Sequence, residues 1–261
     1  MWFCFGRSGG TMRNRRMRSW FVSFLVFSLA GLVAQTTAAQ TSEGWVESYD
    51  RLLKKYVTPA GVKYAAWKSN GTDLEELQKV IDAIGTTRPE SMGRDEQLAF
   101  YINAYNAWIL HEALENYPTK SVKDALFLFF ITKRIKVAGQ QISFDQLEKG
   151  TIRSKFGDPR IHFALNCASK SCPPLSPEVF RGNNLGAQMD RLTRDFINSP
   201  KGVTYHEETK KAELSKIFDW YKGDFTEGGP IAFINKHRST QLPNDVKISY
   251  QEYDWSLNEV R

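Results

Sequence analysis

Residues 94–116, RDEQLAFYINAYNAWILHEALEN, contain neither Gly nor Pro and are apolar almost all the way round. A helix with apolar side chains on every face has to be enclosed by the rest of the chain. The segment therefore predicts a central helix buried on most sides and stopped by Pro118. Its polar residues need an explanation. Glu96 and Asn103 are seven apart and share a face, with Asn106 and His111 to either side. A buried asparagine without partners costs about 1–3 kcal/mol, so Asn103 and Asn106 must meet backbone, side chains or water. They tie the helix to neighbouring loops, or they line a polar pocket with Glu96 and His111.

The flanking segments supply the enclosure. Residues 45–56 place Trp45, Tyr49, Leu52, Leu53 and Tyr56 at helical spacing. TDLEELQKVIDAIG reads as a helix opened by a capping box of Thr72 and Glu75 and closed near Gly85. RIKVAGQQISF alternates around a turn and reads as a hairpin; a helix over about 144–155 follows, with Ser143 and Gln146 as its capping box. RIHFALN reads as a strand, NLGAQMDRLTRDFIN as an amphipathic helix and GVTYHEETKKAELS as a second hairpin. Short helices at KIFDWYKGDF and PIAFINKH precede a last strand in VKISYQEYDW. The class expected is α+β, with a mostly antiparallel sheet packed on the long buried helix.

The first 39 residues read as a cleaved signal peptide. RNRRMRSW holds four arginines and no acid, the apolar run FVSFLVFSLAGLVA spans residues 21–34, and Thr37 and Ala39 suit a cut before Gln40. That run is shorter than the roughly 20 residues of a bilayer-spanning helix, so no permanent membrane anchor is expected. A periplasmic or secreted destination follows, with residues 40–261 as a single globular domain. Five of the 35 basic residues lie in this leader, so the remainder carries 30 basic against 29 acidic residues. The net charge of +6 thus belongs to the leader and gives no support to nucleic-acid binding. No phosphate-binding Gly-rich loop and no His-Glu-x-x-His helix is present, and no cofactor is implied.

IHFALNCASKSCPPL, residues 161–175, concentrates the reactive side chains. Three readings are open. Cys167 or Cys172 is a catalytic thiol, with His162 or His111 as its base and Glu148 or Glu96 as orienter. On a strand, however, His162 and Cys167 would stand about 16 Å apart on opposite faces. Alternatively, in an oxidising compartment the two cysteines form a disulfide across a tight turn, contributing roughly 2 kcal/mol. Thirdly, His162, Cys167 and Cys172 supply three zinc ligands, with His111 or water as a fourth, although the spacing fits no common zinc motif and no metal is expected. The Asp–Trp pairs in IFDWYKGDF and YDWSLN suit turn caps and core filling, or an aromatic groove for a carbohydrate or peptide.

QLAFYINAYNAWILHEAL, PRIHFALNCASKSCPPL, IFDWYKGDF and YQEYDWSLN, in this order, resemble the domain-of-unknown-function 547 family across about residues 45–258. The resemblance implies an exported protein and no named reaction. Fold analogy adds a distant similarity to papain-like or transglutaminase-like thiol enzymes. Two functions are expected on these grounds. One is a thiol-dependent hydrolase or acyl transferase acting on peptides or amides of the cell envelope. The other is a non-catalytic, disulfide-stapled module binding a small molecule or peptide.

Overall fold

The computed structural model describes residues 44–123 and 132–260. Residues 1–39, where the signal peptide is expected, lie outside them, as does the segment 124–131. Helix α1 (44–56) runs into a two-residue hairpin of β1 (Val57–Thr58) and β2 (Gly61–Val62). Helices α2 (Tyr64–Lys68), α3 (Gly71–Thr86) and α4 (Arg94–Glu115) follow. Helix α4 is the central element the sequence demands. Fourteen of its 22 residues are buried, Asn103, Asn106 and Glu112 among them. Its neighbours are mainly helical: it packs on α3, on the π-helical segment described next and on α6 (Leu185–Ile197).

The hairpin of β3 (Ile135–Val137) and β4 (Gln140–Ile142) leads into α5, residues 144–156. Ser143 and Gln146 exchange the two bonds of a capping box there: the Ser143 amide donates to Gln146 Oε1 at 2.9 Å and the Gln146 amide to Ser143 Oγ at 3.1 Å. From Gln146 to Arg153 this helix is wound as a π-helix. Beyond α6 come β5 (Val203–His206), β6 (Lys211–Leu214), α7 (Ile217–Trp220), α8 (Gly229–His237) and β7 (Lys247–Tyr250). The strands lie in three small sheets, and in the largest β5 pairs antiparallel and β7 parallel to β6. The class is α+β. A large core surrounds α4, and a smaller one beneath the three-stranded sheet gathers Phe163, Phe196, Phe218 and Phe225.

Two local expectations are corrected. Helix α3 is capped by Asn70, whose side chain accepts from the Asp73 amide at 3.2 Å, and not by Thr72. RIHFALN is not a strand: Pro159–Phe163 is a 3₁₀ turn. Asp158 caps it by accepting from the Arg160 amide at 2.9 Å, and Pro159 occupies the first helical position, where a missing N–H costs nothing. The alternation of Ile161, Phe163 and Leu165 imitated a strand, but the Asp-Pro pair before it decides the conformation.

Candidate functional site

The 3₁₀ turn removes the geometric objection to bringing His162 and Cys167 together. Both line one cavity of about 250 Å³, with Cys172, Glu148, Tyr105, Tyr221, Tyr253, Trp220 and Trp255. The cysteine turn is held from behind by α4. Asn106 donates to the Ala164 carbonyl at 2.9 Å and accepts from the Asn166 amide at 2.9 Å. Asn166 in turn accepts from the Ala168 amide at 2.8 Å and donates to the Pro173 carbonyl at 2.8 Å. These bonds satisfy two buried amides and leave the intervening Cys167 side chain on the cavity wall. Ala168 is pressed into the left-handed region at φ 63°, a conformation that costs a non-glycine residue and persists only where neighbours over-determine it.

The C-terminal segment closes the turn from the other side. Asn258 donates its amide to the Ala168 carbonyl at 2.9 Å, and the Lys170 amide bonds the Ser256 carbonyl at 2.9 Å. Gly61 makes this seat possible: a Cβ there, at φ 146°, would lie 2.2 Å from the Asn258 carbonyl oxygen. The segment delivers Tyr253 to the thiol. Cys167 Sγ contacts Tyr253 Oη at 3.3 Å and Ser169 Oγ at 3.1 Å, and Ser169 donates to Tyr253 at 3.0 Å.

Cys167 and Cys172 are both free thiols in this structure. They are nonetheless adjacent, with the Cys167 amide donating to Cys172 Sγ at 3.0 Å. The Cys172 thiol hydrogen-bonded to Cys167, followed by the Ser169 and Tyr253 hydroxyls, pulls the Cys167 pKa down to about 6 against its burial. Burial, and then the charge on Cys167, push Cys172 well above the ordinary thiol value. Tyr253 is pushed up by burial and stays a phenol, able to donate to the thiolate.

The opposite wall carries an ordered strut. Arg153 grips Asp224 through two bonds of 2.8 Å, Asp224 accepts from His162 Nε2 at 2.7 Å, and His162 stacks on Tyr221 at 4.0 Å. Tyr221 donates to Glu148 at 2.9 Å, with Tyr105 also within reach at 3.4 Å. Burial raises the Glu148 pKa, so its carboxyl keeps its proton to higher pH than usual. Burial lowers His162 to about 4 against the pull of Asp224, so the ring is neutral near pH 7. The Arg153 guanidinium also lies over the Tyr221 ring at 5.0 Å, and the π-helix explains why Glu148 and Arg153 both reach Tyr221. Residues five apart lie about 1.4 turns apart on an α-helix but share a face where bonds run i→i+5.

The remaining candidates are elsewhere. His111 bonds Gln78 at 3.0 Å on the outside of α4 and does not line the thiol cavity. Glu96 lines a second cavity of about 330 Å³ beside Asn103. Asn103 donates to the Phe180 carbonyl at 2.8 Å and accepts from its amide at 2.9 Å, which ties α4 to a loop. Asn106 supports the site without lining it. Among the described residues no three His, Cys, Asp or Glu side chains converge as metal ligands, the His162–Cys167–Cys172 trio included.

Sequence reasoning missed Asp224, Arg153, Tyr221, Tyr253 and Ser169. Asp224 and Tyr221 lie inside IFDWYKGDF, where the motif itself is visible but its partner is not. The core-filling assignment of that motif's tryptophan is overturned. Trp220 is 47% exposed and, at the cavity mouth, stacks on Trp255 at a centroid distance of 5.9 Å and meets Tyr253 at a tilt at 4.8 Å.

Residues 89–197 match the family described as Protein of unknown function, DUF547. The match includes α4, the π-helix and the cysteine turn, and stops short of Tyr221, Asp224 and Tyr253, which the resemblance of the later motifs adds. No curated protein and no solved structure matches the chain.

Proposed function

We propose that the chain is an exported cysteine-dependent hydrolase or acyl transferase that acts on amide or peptide bonds, with Cys167 as nucleophile. The observation that supports this best is Cys167 Sγ in contact with the Ser169 and Tyr253 hydroxyls in a cavity that Glu148, its pKa raised by burial, also lines. The Cys167 thiolate attacks the substrate carbonyl carbon, and the carbonyl π pair moves onto oxygen. Collapse of that adduct breaks the C–N bond. Glu148 lies in the same cavity and gives its proton to the departing amine. Water, or an acceptor amine, then attacks the thioester and returns its proton to Glu148, which restores the thiolate. His162 is a positioning residue in this scheme. Neutral and fixed by Asp224, it holds Tyr221 where its hydroxyl orients Glu148. The aromatic mouth of Trp220, Tyr253 and Trp255 offers flat apolar faces to an extended peptide or a sugar-bearing substrate.

An activated acyl ester tests the reading. It should release its leaving group in a burst of about one equivalent per chain, with the acyl group mapped to Cys167. Cys167→Ser should abolish the burst. Absence of any acyl adduct on Cys167 would sink the proposal. A non-catalytic module stapled by a Cys167–Cys172 disulfide is the second reading, supported by the closeness of the two cysteines, and the same experiment separates it because it would form no acyl adduct.

A further inference from the structure

The cysteine pair is asymmetric in a way that amide chemistry does not need. A single thiol suffices as nucleophile, and Cys172 enters the scheme above only as the hydrogen-bond partner that helps ionise Cys167. Yet Cys172 is the more buried of the two, its sulfur is a hydrogen-bond partner of the Cys167 thiol and amide, and the intervening ASKS is folded back by its own bonds. The Cys172 amide donates to the Ser169 carbonyl at 3.3 Å, which keeps the two cysteines in register. Only Cys167 combines partial exposure with access to the cavity.

We infer that the pair is a redox modification site: peroxide oxidises Cys167, and Cys172 resolves the product as an intramolecular disulfide. The Cys167 thiolate attacks one peroxide oxygen and the O–O bond breaks. With one proton taken up, the products are a sulfenic acid and water (or an alcohol, from an organic peroxide). Sulfur is oxidised by two electrons and the peroxide is reduced by two. The Cys172 sulfur then attacks the sulfenic sulfur. An S–S bond forms, the S–O bond breaks, and hydroxide leaves with the Cys172 proton as water. A dithiol reverses the change by two successive exchanges.

The division of labour follows from the surroundings. The attacking sulfur should be ionised and reachable, and Cys167 is both. The resolving sulfur should be adjacent and slower to ionise, which describes the more buried Cys172 with its raised pKa. Chain closure costs little because the turn already holds the pair together. The inference rests on the reading of Cys167 as the reactive thiol, and it assigns that site an oxidative off-switch, since a bridged Cys167 cannot attack a carbonyl.

The test is intact-protein mass spectrometry and thiol counting on the folded chain treated with hydrogen peroxide. The expected product is lighter by two hydrogens, lacks both free thiols and regains them with dithiothreitol. Cys172→Ser, whose hydroxyl can still donate to Cys167 but cannot form a bridge, should instead accumulate a sulfenic acid that a cyclic dione traps on Cys167, and then pass to irreversible acids. Cys167→Ala should leave Cys172 reduced at the same dose. Wild-type protein that gains oxygen on Cys167 without forming the bridge, or that oxidises at Cys172 first, would overturn the inference. Because the readout is mass and not turnover, a chain with no amidase activity could still pass, and an active amidase could still fail.

Discussion

At the scale of single residues, the chemistry turns on why Cys167 gives up its proton while Cys172 keeps its own. Tyr253 reaches both sulfurs, but Cys167 is held down first by the Cys172 thiol and then by Ser169 and Tyr253, whereas Cys172 is pushed up by burial and by its neighbour's charge. Removing one donor should therefore move the thiol. A hydrogen bond to a charged group contributes about 1.5–3 kcal/mol, and a pKa unit corresponds to about 1.4 kcal/mol. Tyr253→Phe should raise the Cys167 pKa by about one to two units, measured by iodoacetamide alkylation across pH. An unchanged profile would mean that Tyr253 does not donate to the thiolate. Cys167→Ser and Cys172→Ser should also differ. The first should remove reactivity with little loss of stability. The second should leave a reactive Cys167 and lower the melting temperature, because a polar hydroxyl replaces a buried sulfur.

At the scale of elements, the site is assembled from four segments that each have a reason to be where they are. The Asp-Pro turn sets His162, the π-helix sets Glu148 and Arg153, the Asn106–Asn166 clasp sets the cysteine turn, and the C-terminal segment sets Tyr253. Asn106→Ala should cost about 1–3 kcal/mol by orphaning the Asn166 amide and the Ala164 carbonyl, measured by denaturant unfolding. Gly61→Ala drives a Cβ into the Asn258 carbonyl and should destabilise by more than about 1 kcal/mol. It should also slow Cys167 alkylation, because it unseats the segment that carries Tyr253. Normal alkylation in that variant would show that the seat and the thiol are independent.

These elements were unequally legible in the sequence. The central helix, both hairpins and the Ser143–Gln146 capping box follow from periodicity and local side-chain bonding, which lie within one segment. The π-winding of Gln146–Arg153 does not, because it depends on what the helix packs against. The same division holds for the site. The short range of IHFALNCASKSC exposes the thiols and His162 as candidates. Asp224 is 62 positions from His162 and Tyr253 is 86 from Cys167, and no local pattern announces either pairing.

For the whole molecule, the buried strut makes stability depend on pH. The folded state holds His162 neutral down to about pH 4, whereas an unfolded chain protonates it near 6.5. The unfolded state thus binds more protons in this window, and stability falls as pH drops from about 6.5 toward 4. The loss amounts to roughly 3 kcal/mol at about 1.4 kcal/mol per pKa unit. Asp224, held below its ordinary value first by Arg153 and then by His162, adds a loss of the same sign at lower pH. Glu148 has the opposite sign: its raised pKa gives stability that is present at low pH and declines as pH rises through the folded value. Urea titrations at several pH values should show the fall, and His162→Gln should flatten it. A variant with the full wild-type slope would assign the effect to other groups.

The central claim, that Cys167 is an ionised nucleophile facing the cavity, is tested most directly by the pH-dependence of alkylation with peptide mapping. The account predicts iodoacetamide on Cys167 alone, with a midpoint near pH 6, and an unlabelled Cys172. Labelling of neither thiol in the folded protein, or a Cys167 midpoint near the ordinary thiol value of about 8.5, would contradict it.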